Sequence, residues 1–209
     1  MVSKLPARPE SIALIGGHVA LDLVNTVSWR QDADQWRENL ARPCDLLTWA
    51  HRAGVLNGRD LTHLRSAMSE DTDMARRVLR SVQTLREQLY QYLAECIDHR
   101  GVQPHIAPGT QLHQVFLDAI SASKLSGSPA RWTLDTPAQI DVPRVLALHA
   151  LDLTQTMSRE RLRRCEDDGC GWLFLDSTRN HSRRWCSSGD CGNRARARRH
   201  YARSRQTDR

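Results

Sequence analysis

The sequence predicts a mainly α-helical protein of the α+β class, with a helical N-terminal domain that carries a small β-hairpin and a smaller C-terminal cysteine-rich module. Two observations lead to this prediction. Apolar residues recur at three- and four-residue steps through most of the first 158 residues, as they do in amphipathic helices. Four of the six cysteines then fall in two C-x4-C pairs, followed by an arginine-rich stretch without proline. We therefore expect one domain over residues 1–158 and a second over residues 159–209.

Five helices are predicted in the N-terminal domain, over residues 18–29, 43–53, 60–68, 73–99 and 109–123. The segment 143–157 is apolar on several sides and is expected to pack inside the domain. The fourth is the longest and is expected to form the centre of the core, because Val78, Val82 and Leu89 continue one apolar stripe along it. A turn at 124–129 before Arg131–Leu134 predicts the β-hairpin. Ser158 is predicted to cap a short helix over 159–164.

The cysteine pairs predict a structural zinc site. The four candidate ligands are Cys165, Cys170, Cys186 and Cys191. Two to four residues between a pair of cysteines allow a tight turn to direct both sulfurs at one ion, and two such pairs complete a tetrahedral shell. Two disulfides or four free thiols are the alternatives. A catalytic zinc is not expected, because four thiolates leave no open position for water.

The residues around the cysteines predict a treble-clef-like zinc finger. Gly171–Leu175 is long enough for one strand, and Arg183–Trp185 is expected to return antiparallel to it before the second pair. From Gly192 onward the chain favours a helix. A module of this size buries too little surface to fold alone, so metal binding is expected to supply much of its stability. Loss of one ligand should then unfold the module and leave the helical domain intact.

Two motifs resemble those of a known family. The run Cys191-Gly-Asn-Arg194, preceded by a C-x4-C pair and by Trp172–Asp176, resembles the CGNR zinc finger of bacterial proteins. The stretch Gly16–Thr26 is similar to the opening of the ABATE domain, which lies N-terminal to that finger in the family. The resemblance implies a helical ABATE domain followed by the finger, and a role in stress-induced regulation of transcription.

The basic residues are concentrated in the C-terminal module. Residues 159–209 hold 14 Lys and Arg against 7 Asp and Glu, whereas residues 1–158 hold 16 against 17. A basic block on a small module is typical of proteins that bind polyanions. Two other causes contribute to the excess. Arginine outnumbers lysine by 28 to 2 throughout the chain, and a zinc ion held by four thiolates carries a formal charge of about −2 that nearby arginines can neutralise.

The final helix supplies the candidate nucleic-acid contacts. They are Asn193, Arg194, Arg196, Arg198, Arg199 and Arg203. At about 100° per residue, Arg194, Arg198 and Arg205 lie on one side of the helix, while Arg196, Arg199 and Arg203 form a row on the opposite side. One row is expected to face the zinc cluster and its hairpin, or acidic groups of the N-terminal domain, and the other to remain available for DNA phosphates or bases. A solvated helix whose charge serves solubility is the alternative.

A second candidate site lies near the N-terminus. His18 and Asp22 are four residues apart and hence neighbours on one helix face, and Asn25 lies near them. These three side chains form either a ligand pocket or a buried hydrogen-bond cluster that holds the Gly16-Gly17 turn against the core.

The sequence as a whole predicts a zinc-dependent DNA-binding regulator of transcription located in the cytoplasm. No apolar run spans a membrane, and the first thirty residues lack the order of a signal peptide. No nucleotide-binding loop or nucleophile elbow is present, so we do not expect an enzyme. The N-terminal domain is expected to sense a small-molecule effector or to form a homodimer. The alternatives are an RNA-binding or protein-interaction zinc module, and a small-molecule binder or enzyme centred on His18, Asp22 and Asn25.

Overall fold

A computed structural model describes residues 12–99, 105–134 and 141–207, and the side chains of these residues up to residue 204. The side chain of Arg205 therefore lies outside the described part of the chain. The helices of that part are α1 Val19–Val24, α2 Pro43–Arg52, α3 Gly58–Glu70, α4 Thr72–Asp98, α5 Gln111–Ser121, α6 Val142–Thr156 and α7 Cys191–Thr207. The strands are β1 Val27–Ser28, β2 Arg37–Glu38, β3 Ser123–Ser126, β4 Arg131–Leu134, β5 Leu162–Arg164 and β6 Leu173–Leu175. They pair as three antiparallel hairpins, β1–β2, β3–β4 and β5–β6.

The predicted fold class is confirmed, and α4 is the central helix of the core. Asp71 caps its N-terminus by accepting a hydrogen bond from the backbone N–H of Met74. One face of α4 is buried, including Val82, Leu89 and Leu93. The helices α1, α2, α3, α5 and α6 all pack against it. The predicted hairpin with a strand at 131–134 is also confirmed, but residues 124–126, predicted as part of its turn, belong to the partner strand β3.

The first helix is shorter than predicted. It ends at Val24, because the side chain of Asn25 binds a strand elsewhere in the chain and Thr26 Oγ1 donates to the carbonyl of Leu23. The backbone then enters β1, and Trp29 adopts a left-handed conformation with φ of 58°. The prediction of a helix through residue 29 was therefore wrong.

The segment that joins the two halves is also different from the prediction. Residues 162–164 form strand β5 instead of the end of a helix, and β5 pairs with β6. The strand predicted within 171–175 exists as Leu173–Leu175, but 183–185 is not its partner. Leu162 and Leu173 are fully buried in the same hydrophobic core as the helices. The β5–β6 hairpin thus belongs both to the cysteine-rich module and to the core of the helical domain.

No helix within the described residues is long and apolar enough to cross a membrane.

Candidate metal centre and arginine helix

The two cysteine pairs meet in one buried cluster. Cys165 and Cys170 lie in the turn that connects β5 to β6, Cys186 follows the next loop, and Cys191 is the first residue of α7. All four sulfurs lie within 4.8 Å of one another. The Cys170–Cys186 and Cys186–Cys191 sulfur separations are 3.7 and 3.3 Å, far from the disulfide bond length of about 2.05 Å. Free thiols at this spacing exclude the alternative of two disulfides in this structure.

The donor set fits zinc. A tetrahedral site with Zn–S bonds of about 2.3 Å separates its sulfurs by about 3.8 Å, which is close to the observed distances. Hydrogen bonds among the thiols lower the pKa of Cys165 and raise the pKa of Cys186, because four thiolates this close cannot all be charged without a cation. The backbone N–H of Cys186 donates to the sulfur of Cys165 at 3.4 Å, and Arg194 Nη2 donates to that of Cys191 at 2.9 Å. These donors stabilise thiolates, so the four cysteines can hold one structural zinc ion.

One arginine row of α7 is neutralised by the turn between the first two ligands. Asp167 is fully buried and accepts hydrogen bonds from Arg194 Nε at 2.9 Å and Nη2 at 2.7 Å. Arg198 Nη2 donates to the other oxygen of the same carboxylate at 2.5 Å. Burial acts to raise the pKa of Asp167, but the two guanidinium groups outweigh it and the pKa is lowered. This carboxylate therefore stays ionised and holds the inner side of α7.

The opposite row has different partners. Arg196 donates to the carbonyl of Ser188 at 2.9 Å, and Arg199 donates to a carbonyl within its own helix. The guanidinium carbons of Arg196 and Arg199 lie 5.9 and 5.8 Å from the centroid of the Trp185 ring. Within the part of the chain that the structure describes, neither arginine forms an ion pair with a carboxylate. Their charges are thus not neutralised within that part.

Asn193 and Arg203 complete the set of candidate contacts. Asn193 donates to the carbonyl of Gly189 at 2.6 Å and accepts a hydrogen bond from Arg196. It therefore closes the turn before α7, although its side chain is exposed. Arg203 is exposed about one turn beyond Arg199. Every residue from 196 to 204 is exposed, so α7 projects from the molecule after its first turns.

The three residues of the second candidate site engage different partners. His18 accepts a hydrogen bond from the backbone N–H of Ala20 and lies 3.3 Å from Asp152. Asp22 accepts from the backbone N–H of Gly16 at 2.8 Å, and burial raises its pKa. Asn25 is fully buried and bonds both the N–H and the C=O of the same residue in β6. Each side chain therefore holds a separate piece of backbone or neighbouring side chain.

Two residues of the site escaped the sequence analysis. Asp167 lies between the first two ligands, where the acidic run Glu166-Asp-Asp168 could have indicated a partner for the arginines of α7. Trp29 contacts Arg194 from the N-terminal domain, with the guanidinium carbon 4.5 Å from the ring centroid. Nothing in the local sequence indicates that a residue 165 positions away covers the start of α7.

These features define a class. A closed four-thiolate centre at the start of an exposed arginine-rich helix, joined to a helical domain, is a zinc-finger architecture. Two family models match the chain: residues 17–159 match the ABATE domain, whose description is "putative stress-induced transcription regulator", and residues 161–204 match the CGNR zinc finger. The chain therefore belongs to the ABATE family and carries a CGNR zinc finger. A comparison with curated proteins found no match.

Proposed function

We propose that this protein binds DNA through α7 in a zinc-dependent manner and regulates transcription. The observation that supports the proposal is that the two arginine rows differ in whether a carboxylate neutralises them. Asp167 neutralises the row of Arg194 and Arg198, whereas Arg196 and Arg199 have no carboxylate partner within the described residues. Uncompensated arginines on a projecting helix are what a contact with a polyanion requires.

The dimensions of α7 suit a DNA groove. Its 17 residues extend over about 26 Å, and a helix of about 10–12 Å diameter fits the major groove. From Arg196 to Arg203 the row spans about 10 Å, which lets the side chains reach more than one phosphate. The planar guanidinium group binds phosphate oxygens or a guanine edge through paired hydrogen bonds.

Duplex DNA fits this surface better than single-stranded RNA. Sequence-specific RNA recognition needs exposed aromatic rings on which unpaired bases stack. Phe174 is fully buried, and Trp172 is half-buried and donates to the carbonyl of Val27. Trp185 is half-buried beneath arginine side chains. Tyr201, with 70% of its surface exposed, is the aromatic residue of α7 on which a single strand would have to stack.

The helical domain is proposed to sense an effector or to mediate association. A cavity of about 360 Å³ between α4, α5 and α6 is within the size range of small-molecule sites. Apolar side chains such as Val78 and Val115 line it together with Arg144, which is paired with Asp118 and Asp141. We also propose that the zinc centre is structural rather than catalytic, that the finger is of the treble-clef type, and that the domains divide near residue 158.

The test compares three polyanions. Zinc-loaded protein is titrated with duplex DNA, single-stranded RNA and heparin at several salt concentrations, together with a variant in which Arg196, Arg199 and Arg203 are replaced by alanine. A matched control replaces the exposed Arg59, Arg76 and Arg80 of the helical domain by alanine and removes the same charge.

The expected result is tightest binding to duplex DNA and a shallower salt dependence in the α7 variant. The slope should fall by about 0.9 for each phosphate that the variant no longer neutralises, whereas the control should keep the wild-type slope. Preference for RNA, with weaker RNA binding on Tyr201→Ala, would instead favour the RNA-binding alternative. Equal affinity for heparin and DNA, or equal slopes for the two triple variants, would reject the proposal.

A further inference from the structure

A loop of the N-terminal domain, which begins at Trp29 after β1, contacts the start of the arginine-rich helix α7. Trp29 follows β1, and its left-handed backbone conformation is one that a bulky residue rarely adopts. The ring lies against the guanidinium group of Arg194 and also packs closely against Gly169. A Cβ atom on Gly169 would lie 2.9 Å from the ring, so the glycine allows this close approach. A strained residue that packs this tightly is held in place by the structure around it.

The same loop binds the turn that carries the first two zinc ligands. The backbone N–H of Arg30 donates to the carbonyl of Cys170 at 3.1 Å, and that of Gln31 donates to the carbonyl of Gly169 at 3.2 Å. Trp172 Nε1, just beyond the turn, donates to the carbonyl of Val27 at 2.7 Å. The N-terminal domain and the metal-binding turn are thus joined by hydrogen bonds along the loop.

The loop is in turn anchored to the central helix. The Arg30 side chain is almost fully buried and forms a forked ion pair with Glu87 of α4, at 2.7 and 3.1 Å. Its guanidinium group also lies 4.2 Å from the centroid of the Tyr90 ring. Arg86 contributes a further hydrogen bond to Glu87 at 2.7 Å. A continuous series of ion pairs and hydrogen bonds therefore runs from α4 through the loop to the finger.

Arg194 is where this connection reaches α7. It contacts the ring of Trp29, the carboxylate of Asp167 and the sulfur of Cys191. We propose that Trp29 is a positioning residue of the nucleic-acid interface: it clamps Arg194 from the N-terminal domain and fixes the direction in which α7 projects. This inference rests on the proposed function. It implies that the helical domain helps to orient the arginines of α7 for binding.

Positioning and contact have different signatures. Removal of a residue that contacts phosphate reduces the number of released counterions and lowers the salt slope. Removal of a positioning residue leaves every phosphate-binding side chain in place but lowers the fraction of molecules in which α7 points correctly. The apparent affinity then falls by that fraction while the slope is retained.

The experiment compares Trp29→Ala with Trp36→Ala in the full-length, zinc-loaded protein. Trp36 lies in the same loop and has 52% of its surface exposed, so it is a matched control. Duplex DNA affinity is measured at several salt concentrations, zinc content is determined, and amide hydrogen exchange is followed over residues 191–200. Trp29→Phe, which keeps an aromatic face over the guanidinium group, tests for rescue.

Trp29→Ala is expected to weaken DNA binding by at most about fivefold at an unchanged salt slope, because loss of one partly buried cation–π interaction shifts the equilibrium between correctly and incorrectly directed α7 by about that factor. It should also speed exchange at the start of α7 and keep one zinc per chain, while Trp29→Phe recovers most of the affinity. Trp36→Ala should match the wild type in each measurement. Identical behaviour of the two alanine variants, or loss of zinc from Trp29→Ala, would overturn the assignment. If the wild type binds no DNA, the proposed function fails, and the exchange measurement still decides whether Trp29 holds α7.

Discussion

Replacement of Asn25 by alanine is expected to destabilise the contact between the helical domain and the β5–β6 hairpin. The buried amide donates to the carbonyl of Leu173 at 2.8 Å and accepts from its backbone N–H at 2.9 Å. Alanine would leave both backbone groups without a partner in surroundings that water does not reach. Each unsatisfied group costs about 1–3 kcal/mol, so the free energy of unfolding should fall by about 2–6 kcal/mol. That is a large share of the stability of about 5–15 kcal/mol that a domain has.

Urea unfolding followed by tryptophan fluorescence, with zinc release recorded in parallel, measures this change in stability. The exposed Asn180, replaced by alanine, is the control and should change the free energy of unfolding by less than about 0.5 kcal/mol. A decrease below about 1 kcal/mol in Asn25→Ala would refute the structural role. Unchanged stability together with loss of binding to an effector would favour the ligand-pocket interpretation of His18, Asp22 and Asn25.

Two further predictions concern the finger. Cys186→Ser should lose zinc, which metal analysis measures. Because Leu173 is buried in the core of the helical domain, thermal unfolding should show that this domain is destabilised too. This differs from the expectation from the sequence, which was that the helical domain would stay intact. An unchanged helical transition, or one zinc per chain retained, would contradict this. Asp167→Asn should lower the free energy of unfolding by about 2 kcal/mol, because it removes a buried carboxylate that has two arginine partners. In the same urea titration, Asp168→Asn at the neighbouring, exposed position should have almost no effect. Equal effects of the two variants would show that the buried carboxylate does not hold α7.

Local patterns were sufficient for most helices and for the metal ligands. The α4 helix was predicted at 73–99 and observed at Thr72–Asp98, because its apolar stripe repeats over seven turns. The cysteine spacing predicted the ligand set, and the four sulfurs do meet. Both signals are carried by residues close together in sequence, and burial of a continuous stripe or coordination of one ion strongly favours one local arrangement.

Predictions failed where a distant segment decided the local structure. Residues 162–164 have helical propensity, yet they form a strand because they pair with β6. This pairing places Cys165 and Cys170 in one turn. The first helix ends early because the side chain of Asn25 forms hydrogen bonds with Leu173 of β6, 148 residues away. In both places tertiary hydrogen bonds outweigh helix propensities, which amount to a few tenths of a kcal/mol per residue.

The sequence by itself determined the class of this protein: a helical domain, a four-cysteine finger and an arginine-rich final helix. Only the tertiary structure decided which arginines are neutralised, since the buried Asp167 pairs with Arg194 and Arg198 from across the metal-binding turn. It also decided that Trp29 covers the start of α7. Charge can be counted along a chain, but its neutralisation depends on which groups folding brings within hydrogen-bond distance.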